Sequence, residues 1–527
     1  MPAASVAYAS PARDLPPSFP PPEASMTEPF RLALTLANEA ETRRLAMDLA
    51  MAAQANDIMT LEGDLGTGKS TLARALIRAI AEDDKLDVPS PTFALVQPYD
   101  LKRLPVVHAD LYRVASADEI AELGWDEVSD NALLLVEWPD RLGGALSGDR
   151  LEITLSLAPG NGPNARRAEL IGHGAWAARL ARMAALRTFL DNAGWGGSLR
   201  RHLQGDASTR SYERLLDGQR RAVLMNAPRK PDGPPVRNGL PYSRIAHLAE
   251  DMVPFVAMAE GLRDAGLSPP EIEAIDLAQG FLIIEDLGSD GVLKDGAPAA
   301  ERYLAAVDVL AAIHARPRPA TLSTPKGPYT LPAYDREALG IEVELLLDWY
   351  LPMKDVRIPA SEKYVFLQRW TELFKEVEAA PKTWVLRDFH SPNLIWLAGR
   401  DGVEKVGLID FQDAVMGPAA YDVASLAQDA RVTVSEELEL QILSRYASAR
   451  KAADPSFDMA AFARLYAIMG AQRATKILGI FARLDRRDGK PQYLAHLPRI
   501  WAYLQRCLAH PALHQVKRWV DDRVPPP

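Results

Sequence analysis

The chain has 527 residues, of which 60 are lysine or arginine and 70 are aspartate or glutamate, so its formal net charge is −10. This length exceeds what one hydrophobic core usually organises and predicts roughly two to four domains. The acidic balance argues against a dominant electrostatic grip on nucleic acid. The single cysteine, Cys507, excludes an internal disulfide. Neither a signal-peptide pattern nor a long apolar run is present, which predicts a cytoplasmic protein that makes no use of a membrane.

The first 25 residues are rich in proline, alanine and serine and carry few large aliphatic side chains. They cannot bury enough apolar surface to offset the entropy of ordering, so residues 1–25 are expected to form a disordered tail. Met26 opens a segment that runs from a strand-like stretch into a helix, which suggests Met26 as the true start. We therefore place the first folded domain at residues 26–175.

The segment after Asp57 has the element order of an α/β P-loop NTPase domain. IMTL predicts a strand, GDLGTGKS at 63–70 a phosphate-binding loop, and the residues after it an amphipathic helix. The glycines let backbone N–H groups wrap a phosphate, Lys69 neutralises its oxygens, and Ser70 offers a hydroxyl to Mg²⁺. ATP and Mg²⁺ are the expected cofactors.

Two apolar strands further along each end in an acid. Asp110 ends VVHAD and Glu137 ends LLLVE. Parallel strands deliver their last side chains to the nucleotide edge of the sheet, so both acids are candidates for fixing the metal or the attacking water. LEITLSL at 151–157 then alternates as a half-buried antiparallel strand, AELIG returns beside it, and a helix is expected from about 176 to 190.

Four motifs in this first domain resemble those of the TsaE family, the bacterial P-loop ATPases needed to make threonylcarbamoyladenosine in tRNA. They are GDLGTGKS at 63–70, SPTF at 90–93, HADLYR at 108–113 and EW at 137–138. The resemblance implies ATP on the loop from Asp64 to Thr71, which comprises Asp64, Leu65, Gly66, Thr67, Gly68, Lys69, Ser70 and Thr71.

The same resemblance implies further roles. Mg²⁺ is held by Ser70 and Glu137, Thr92 senses the γ-phosphate, and Asp110 supports the metal or the water. Residues 111–113 are packing residues or partner contacts. The family works by binding a two-subunit tRNA threonylcarbamoyl-transfer complex that ATP hydrolysis resets, so that complex is the expected partner and tRNA is contacted only indirectly.

Residues 176–527 are expected to form a second, α+β domain with two lobes. SYERLL and QRRAVLMN are joined by Asp217-Gly218, which is typical of a β-hairpin, and FLIIEDL at 281–287 predicts another strand. Mostly helical sequence follows, interrupted by RDFHSPN at 387–393 and IDF at 409–411. Phosphoryl transfer needs a carboxylate near the attacking hydroxyl and ligands for Mg²⁺. Asp388 is the candidate base, and Asn393 and Asp410 are the candidate metal ligands.

This half resembles the aminoglycoside phosphotransferase and choline kinase superfamily, which has the protein-kinase fold. It is closest to the branch that phosphorylates N-acetylmuramate or N-acetylglucosamine at the anomeric hydroxyl in cell-wall recycling. The resemblance rests on GDASTRSYERL, VLMNAP, LIIEDLG, VLRDFHSPNL and LIDFQDAVMGPAAYDVASL, and it covers most of residues 180–510. It implies an amino-sugar substrate, a loop at 205–211 over the phosphates, an adenine between Glu285 and Leu287, and a structural acid at Asp422. The loop residues assigned to the nucleotide are Gly205, Ser208 and Arg210.

One residue departs from the kinase pattern. Met225 stands where the ATP-anchoring lysine is expected. Either Arg210, Arg214 or Arg221 supplies the cation, or the lobe is a pseudokinase. Two competing hypotheses stay open: the second half is an aminoglycoside- or choline-type phosphotransferase, or one half is a non-catalytic partner-binding module.

Overall fold

The computed structural model describes residues 28–114, 130–142, 148–203, 210–229 and 231–527. These residues form two compact units that divide between His202 and Leu203. The expected tail, Met26 as the start, Gly205 and Ser208 lie outside the described residues. Among the described helices, none combines the length and the apolar character needed to cross a bilayer.

The first unit is built on a seven-stranded sheet. Its strands are β1 (Phe30–Leu36), β2 (Ile58–Glu62), β3 (Val96–Tyr99), β4 (Val106–Asp110), β5 (Leu133–Glu137), β6 (Arg150–Leu157) and β7 (Arg166–His173). They lie in the order β1-β7-β6-β2-β5-β4-β3. Strands β6, β2, β5 and β4 run parallel, and the antiparallel pairs β6–β7, β1–β7 and β3–β4 extend the sheet on both sides. This is the expected α/β class.

Within the described ranges of this unit, the helices beside the sheet are α1 (Glu39–Ala52), α2 (Lys69–Ala81) and α3 (Ala175–Asn192). Helix α2 begins at the end of the glycine loop, directly after β2. Because β2, β5 and β4 are parallel, their carboxyl ends meet at one edge of the sheet. The register pairs Asp110 with Glu137 at that edge, which brings both acids to the side of the sheet where the loop lies.

Helix α3 belongs to the first unit. It packs against β1 and β7, and Trp176, Leu180 and Met183 are part of the hydrophobic core of that sheet. The division between the units therefore lies later than the boundary near residue 175 that the sequence predicted. The apolar face of α3 needs a partner, and the sheet that precedes it in the chain supplies that partner.

The second unit begins with a small lobe. Strand β8 (Leu199–Leu203) spans the division between the units, and the other strands are β9 (Ser211–Asp217), β10 (Arg220–Asn226), β13 (Ile272–Asp276) and β14 (Phe281–Glu285). The five-stranded sheet has the order β13-β14-β10-β9-β8. The short strands β11 (Pro235–Arg237) and β12 (Leu240–Pro241) and the helices α4 (Tyr242–Ile245) and α5 (Val253–Asp264) lie between β10 and β13. Asp217 pairs with Arg220, so the hairpin turn is Gly218 and Gln219, one residue later than predicted.

The larger lobe is mostly helical. Its helices are α6 (Ala300–His314), α7 (Arg336–Leu345), α8 (Leu351–Met353), α9 (Ala360–Ala379), α10 (Ala420–Ala427), α11 (Glu436–Ala453), α12 (Met459–Asp488), α13 (Leu497–Leu508) and α14 (His514–Arg523), with a π-helical turn at Leu346–Tyr350. Its strand pairs are β15 (Leu293–Lys294) with β16 (Ala297–Pro298), β17 (Thr321–Thr324) with β18 (Gly327–Thr330), β19 (Lys382–Val385) with β22 (Val415–Pro418), and β20 (Leu394–Trp396) with β21 (Val406–Leu408).

The strand pairs of this lobe position the kinase motifs. RDFHSPN follows β19, and IDF follows β21. Because β20 and β21 are antiparallel neighbours, the residues just outside them meet, and Ile409 N donates to Asn393 O at 3.1 Å. The two motifs, well separated in the chain, therefore come together at one end of this hairpin.

Candidate active sites

The glycine loop of the first unit has the backbone shape that a phosphate requires. Gly63, Gly66 and Gly68 all have positive φ angles of 130°, 80° and 106°. A Cβ on Gly63 would lie 2.2 Å from the Leu155 carbonyl oxygen, so only glycine fits there. The loop lies directly before α2, and a glycine-rich loop at a helix start is the arrangement in which backbone N–H groups bind phosphate.

Lys69 is held over this loop. Its Nζ donates to Gly63 O at 2.6 Å and Asp64 O at 3.0 Å, and it lies 4.1 Å from the ring centre of Trp138. Burial lowers the pKa of Lys69, and the carboxylates of Glu137, Asp110 and Asp64 oppose that shift. The ammonium is thus kept close to the place where phosphate oxygens would lie.

Ser70 and Glu137 lie together as the resemblance implied. Ser70 Oγ donates to Glu137 Oε2 at 3.2 Å. The other carboxylate oxygen, Oε1, lies 3.0 Å from His108 Nε2, and both His108 and Glu137 are buried. His108 is the first residue of the HADLYR motif, but the sequence gives it no role of its own. Its ring reaches Glu137 because β4 and β5 are neighbours in the sheet.

Asp110 joins the predicted switch residue to this site. Its Oδ2 accepts from Thr92 Oγ1 at 3.1 Å, and its Oδ1 accepts from the Tyr112 backbone N–H at 3.1 Å. Hydroxyl and carboxylate oxygens are the ligands that Mg²⁺ prefers. The donor set of Ser70, Glu137 and Asp110 beside a phosphate-shaped loop therefore fits Mg²⁺ and a nucleotide.

The remaining loop residues have more peripheral positions. Leu65 is 73% exposed, Thr67 Oγ1 donates to Asp64 O at 2.8 Å, and Thr71 lies in the first turn of α2. Phe93 is 84% exposed, with the Arg113 guanidinium 4.4 Å from its ring centre. Exposed apolar side chains next to the phosphate loop are suited to a protein partner.

In the second unit, Asn393 is oriented by the base candidate. Its Nδ2 donates to the Asp388 backbone carbonyl at 2.9 Å, so the oxygen of the amide is the atom left for a cation. Burial raises the pKa of Asp410, and the negative charge of Asp388 raises it further. The carboxylate of Asp410 and the amide oxygen of Asn393 together fit a divalent cation.

The backbone just before Asp388 is held by hydrogen bonds to a buried carboxylate. Asp422, fully buried in α10, accepts from Leu386 N at 2.6 Å and from Arg387 N at 2.9 Å. Burial, partly offset by these hydrogen bonds, raises the pKa of Asp422 to about 7. Arg387 itself forms a buried ion pair with Glu342 of α7. Sequence reasoning found Asp422 but missed Glu342, which has no local motif to mark it.

The structure distinguishes the three arginines proposed to replace the missing lysine. Arg210 Nη1 lies 3.5 Å from Asp410 Oδ1. Arg214 is engaged by Asp286, with Nε 2.7 Å from Oδ2, and Arg221 is exposed on β10. Met225 is buried in the hydrophobic core. Of the three, Arg210 is the one that reaches a metal-ligand candidate.

The residues expected at the adenine lie at the end of β14. Glu285 Oε1 accepts from Arg400 Nη2 at 2.5 Å, so its carboxylate is already paired. A Cβ on Gly407 would lie 3.0 Å from Leu287 Cδ1, which shows that Leu287 packs on the β20–β21 hairpin. Cys507 is buried, and burial raises the pKa of its thiol to about 12, as an inert structural thiol requires.

Each unit of the chain matches a known family. The family model for the threonylcarbamoyl adenosine biosynthesis protein TsaE matches residues 36–166, and that of the phosphotransferase enzyme family matches residues 200–465. The fold and sites define a P-loop ATPase joined to a kinase-like phosphotransferase. The chain belongs to the TsaE family through its first unit and to the phosphotransferase enzyme family through its second.

Individual relatives match each half. The chain is 41% identical over 356 residues to N-acetylmuramate/N-acetylglucosamine kinase of Caulobacter vibrioides, covering 65% of this chain and 97% of that protein. The kinase of the same name from Pseudomonas aeruginosa is 35% identical over 350 residues, 62% of this chain and 93% of that protein. The tRNA threonylcarbamoyladenosine biosynthesis protein TsaE of Rickettsia felis is 38% identical over 128 residues, 24% of this chain and 74% of that protein.

Proposed function

We propose that the chain is bifunctional. Its first unit is an ATPase required for threonylcarbamoyladenosine modification of tRNA. Its second unit is a kinase that phosphorylates N-acetylmuramate and N-acetylglucosamine at the anomeric hydroxyl during cell-wall recycling. The observation that carries the proposal is the presence of two separate oxygen-ligand sets, Ser70 with Glu137 and Asn393 with Asp410, each beside a cation suited to phosphate. Both reactions use cytoplasmic ATP, so we assign the protein to the cytoplasm.

In the first unit, each residue has a role in holding the nucleotide. Ser70 and Glu137 would hold Mg²⁺, which would offset negative charge on the phosphates of ATP, the substrate whose β–γ phosphoanhydride bond is cleaved. Lys69 exchanges its carbonyl partners on the loop for phosphate oxygens. Asp110 orients the attacking water and keeps Thr92 close to the terminal phosphate. The partner is the two-subunit tRNA threonylcarbamoyl-transfer complex, which contacts the tRNA itself.

In the second unit, Asp388 accepts the proton of the anomeric hydroxyl as that oxygen attacks the γ-phosphorus. The new O–P bond forms while the bond from phosphorus to the β–γ bridging oxygen breaks, leaving ADP. Asn393 and Asp410 would hold Mg²⁺, which would offset charge on the transferred phosphoryl group, and Arg210 offsets negative charge on the phosphates. The proton leaves the sugar only as the phosphoryl group arrives, which is the role of a general base.

An acceptor screen on the full chain tests the kinase assignment. The purified protein is incubated with ATP, Mg²⁺ and either N-acetylmuramate, N-acetylglucosamine, an aminoglycoside or choline, and the product is identified by ³¹P NMR. A sugar 1-phosphate supports the proposal. Transfer to the antibiotic or to choline, with no turnover of either sugar, would contradict it. Asp388→Asn should abolish the transfer, and Lys69→Ala is the matched control that keeps it.

A cellular assay tests the ATPase assignment. Lys69→Ala is introduced into the native gene, and threonylcarbamoyladenosine in tRNA is quantified by mass spectrometry. The proposal expects loss of the modification, with Asp388→Asn as the control that retains it. Normal modification in the Lys69→Ala strain, combined with its loss when residues 26–170 are deleted, would instead show a non-catalytic binding module.

A further inference from the structure

A buried arginine of the large lobe retains unused hydrogen-bonding capacity. Arg473, in α12, is only 5% exposed. Within the described residues its guanidinium makes one hydrogen bond, from Nη1 to the Gln428 carbonyl oxygen at a long 3.4 Å. A guanidinium has five N–H donors, and buried polar groups are normally satisfied. The guanidinium therefore has N–H donors left for a hydrogen-bond acceptor from a ligand.

Arg473 is connected to the segment that carries Asp388, the proposed general base. Its hydrogen-bond partner Gln428 precedes Asp429, whose carboxylate accepts from Ser391 N at 2.7 Å, three residues after Asp388. The positive charge of Arg473 also acts on His390 and on Asp422. His390 Nε2 is 3.8 Å from Asp388 Oδ1, and its Nδ1 is buried with no hydrogen-bond partner among the described residues. The acceptor hydroxyl must come within hydrogen-bond reach of Asp388. Arg473 and His390, two buried groups with hydrogen-bonding capacity left over, therefore lie beside the segment that carries the proposed base.

The charged side chains close to Arg473 in the fold already have partners of their own. Asp429 accepts from Ser391 N at 2.7 Å, from Tyr303 OH at 3.2 Å and from Arg431 N at 2.8 Å. Lys476, one turn along α12, lies 2.8 Å from Glu342. In the described part of the chain, no carboxylate is within ion-pair distance of Arg473. A buried cation without a counter-ion is costly, so an anionic ligand would stabilise it.

We propose that Arg473 binds the carboxylate of N-acetylmuramate. The inference rests on the proposed kinase function and names a determinant of its specificity. N-acetylmuramate differs from N-acetylglucosamine by a lactyl ether at C3, which carries a carboxylate. A guanidinium can hold a carboxylate through two parallel N–H···O bonds. N-acetylglucosamine has no such group and leaves Arg473 on its weak contact with Gln428.

The test compares the two sugars in matched variants. kcat/KM is measured for each sugar in the full-length wild type, in Arg473→Gln and in Arg473→Lys. A control, Arg464→Gln, removes an arginine from the exposed side of the same helix. Loss of a charge-assisted contact should lower the ratio of kcat/KM for N-acetylmuramate to that for N-acetylglucosamine by at least about tenfold in Arg473→Gln. The ratio for Arg473→Lys should lie between those of the wild type and Arg473→Gln. The control Arg464→Gln should keep the wild-type ratio.

The outcomes distinguish a failure of the proposed role of Arg473 from a failure of the kinase assignment. An unchanged ratio in Arg473→Gln overturns the role of Arg473 while the kinase assignment stands. A wild type that phosphorylates neither sugar overturns the kinase assignment and the inference with it. A second measurement needs no variant: the wild type should prefer N-acetylmuramate over its methyl ester, which lacks the charge, by about tenfold or more. Equal kcat/KM for acid and ester would contradict the proposal even if both Arg473 variants failed to fold.

Discussion

Arg387 and Glu342 form an ion pair in the interior of the second unit, between the segment that ends at Asp388 and helix α7. Arg387 has a φ of 67°, a left-handed conformation that costs an L-residue free energy and favours glycine. The guanidinium also donates to the Ala246 carbonyl oxygen at 2.8 Å. The strained backbone is therefore maintained by its side-chain contacts, which position the neighbouring Asp388.

Glu342→Gln should strongly destabilise the second unit. Glu342 is completely buried and faces two cations, Arg387 and Lys476, which with Tyr334 keep its pKa at about 2 despite burial. Removing the one carboxylate leaves both cations uncompensated, which costs about 3–5 kcal/mol. Urea denaturation of the full chain measures the change. Glu337→Gln, an exposed position on the same helix, is the control, and equal effects of the two substitutions would contradict this account.

Arg210→Ala should weaken the kinase and leave the ATPase unaffected. Its guanidinium is the cation near Asp410, so its loss removes charge compensation from the bound phosphates. We expect kcat/KM for ATP in sugar phosphorylation to fall by roughly 10- to 100-fold, the scale of one charged hydrogen bond. Arg221→Ala, from the exposed face of β10, serves as the matched control. If Arg221→Ala were the damaging change, the assignment of the cation would be wrong.

His108→Ala should slow ATP hydrolysis by the first unit. The imidazole holds Glu137 Oε1 while Ser70 holds Oε2, so the carboxylate loses one of its two fixed contacts. Removing a hydrogen-bond partner of a metal ligand typically lowers activity by 10- to 100-fold, so we expect a decrease of that order in kcat. Steady-state ATPase assays with the partner complex measure it. Sugar phosphorylation by the same preparation reports folding, and an unchanged kcat would exclude the positioning role.

Acidification should lower the free energy of unfolding partly through the buried His314. Burial, aided by Arg450, lowers its pKa from 6.5 to about 3, and its Nδ1 lies 2.9 Å from Tyr446 OH. As pH falls below 6.5, the unfolded chain takes up a proton that the folded chain refuses, so the free energy of unfolding decreases by up to about 1.4 kcal/mol per pH unit. Denaturant unfolding from pH 7 to pH 5 should show a shallower decrease in His314→Gln than in the wild type. Parallel curves would contradict the assignment.

Local sequence was sufficient for the fold classes and for choosing most of the candidate site residues. Gly63, Gly66 and Gly68 mark a loop whose function depends on backbone shape, and Asp388 with Asn393 lies within one short segment. Such features are encoded by residues close together in the chain. The boundary near 175 was placed too early because the helix at 175–192 can be recognised from its periodicity, whereas its partner, the β1–β7 pair, cannot.

Tertiary structure decided the relationships between distant residues. Three arginines were plausible substitutes for the lysine that Met225 replaces. The contact of Arg210 with Asp410 distinguishes it from Arg214, which is paired with Asp286, and from the exposed Arg221. His108 lies in a motif but has no role assigned by it, and Glu342 and Arg473 lie outside the motifs, because a buried polar side chain is recognised by its partners. The amino-acid sequence by itself determined which chemistries this protein holds. Packing decided which side chains support them, because burial and hydrogen bonding depend on residues that only the fold brings together.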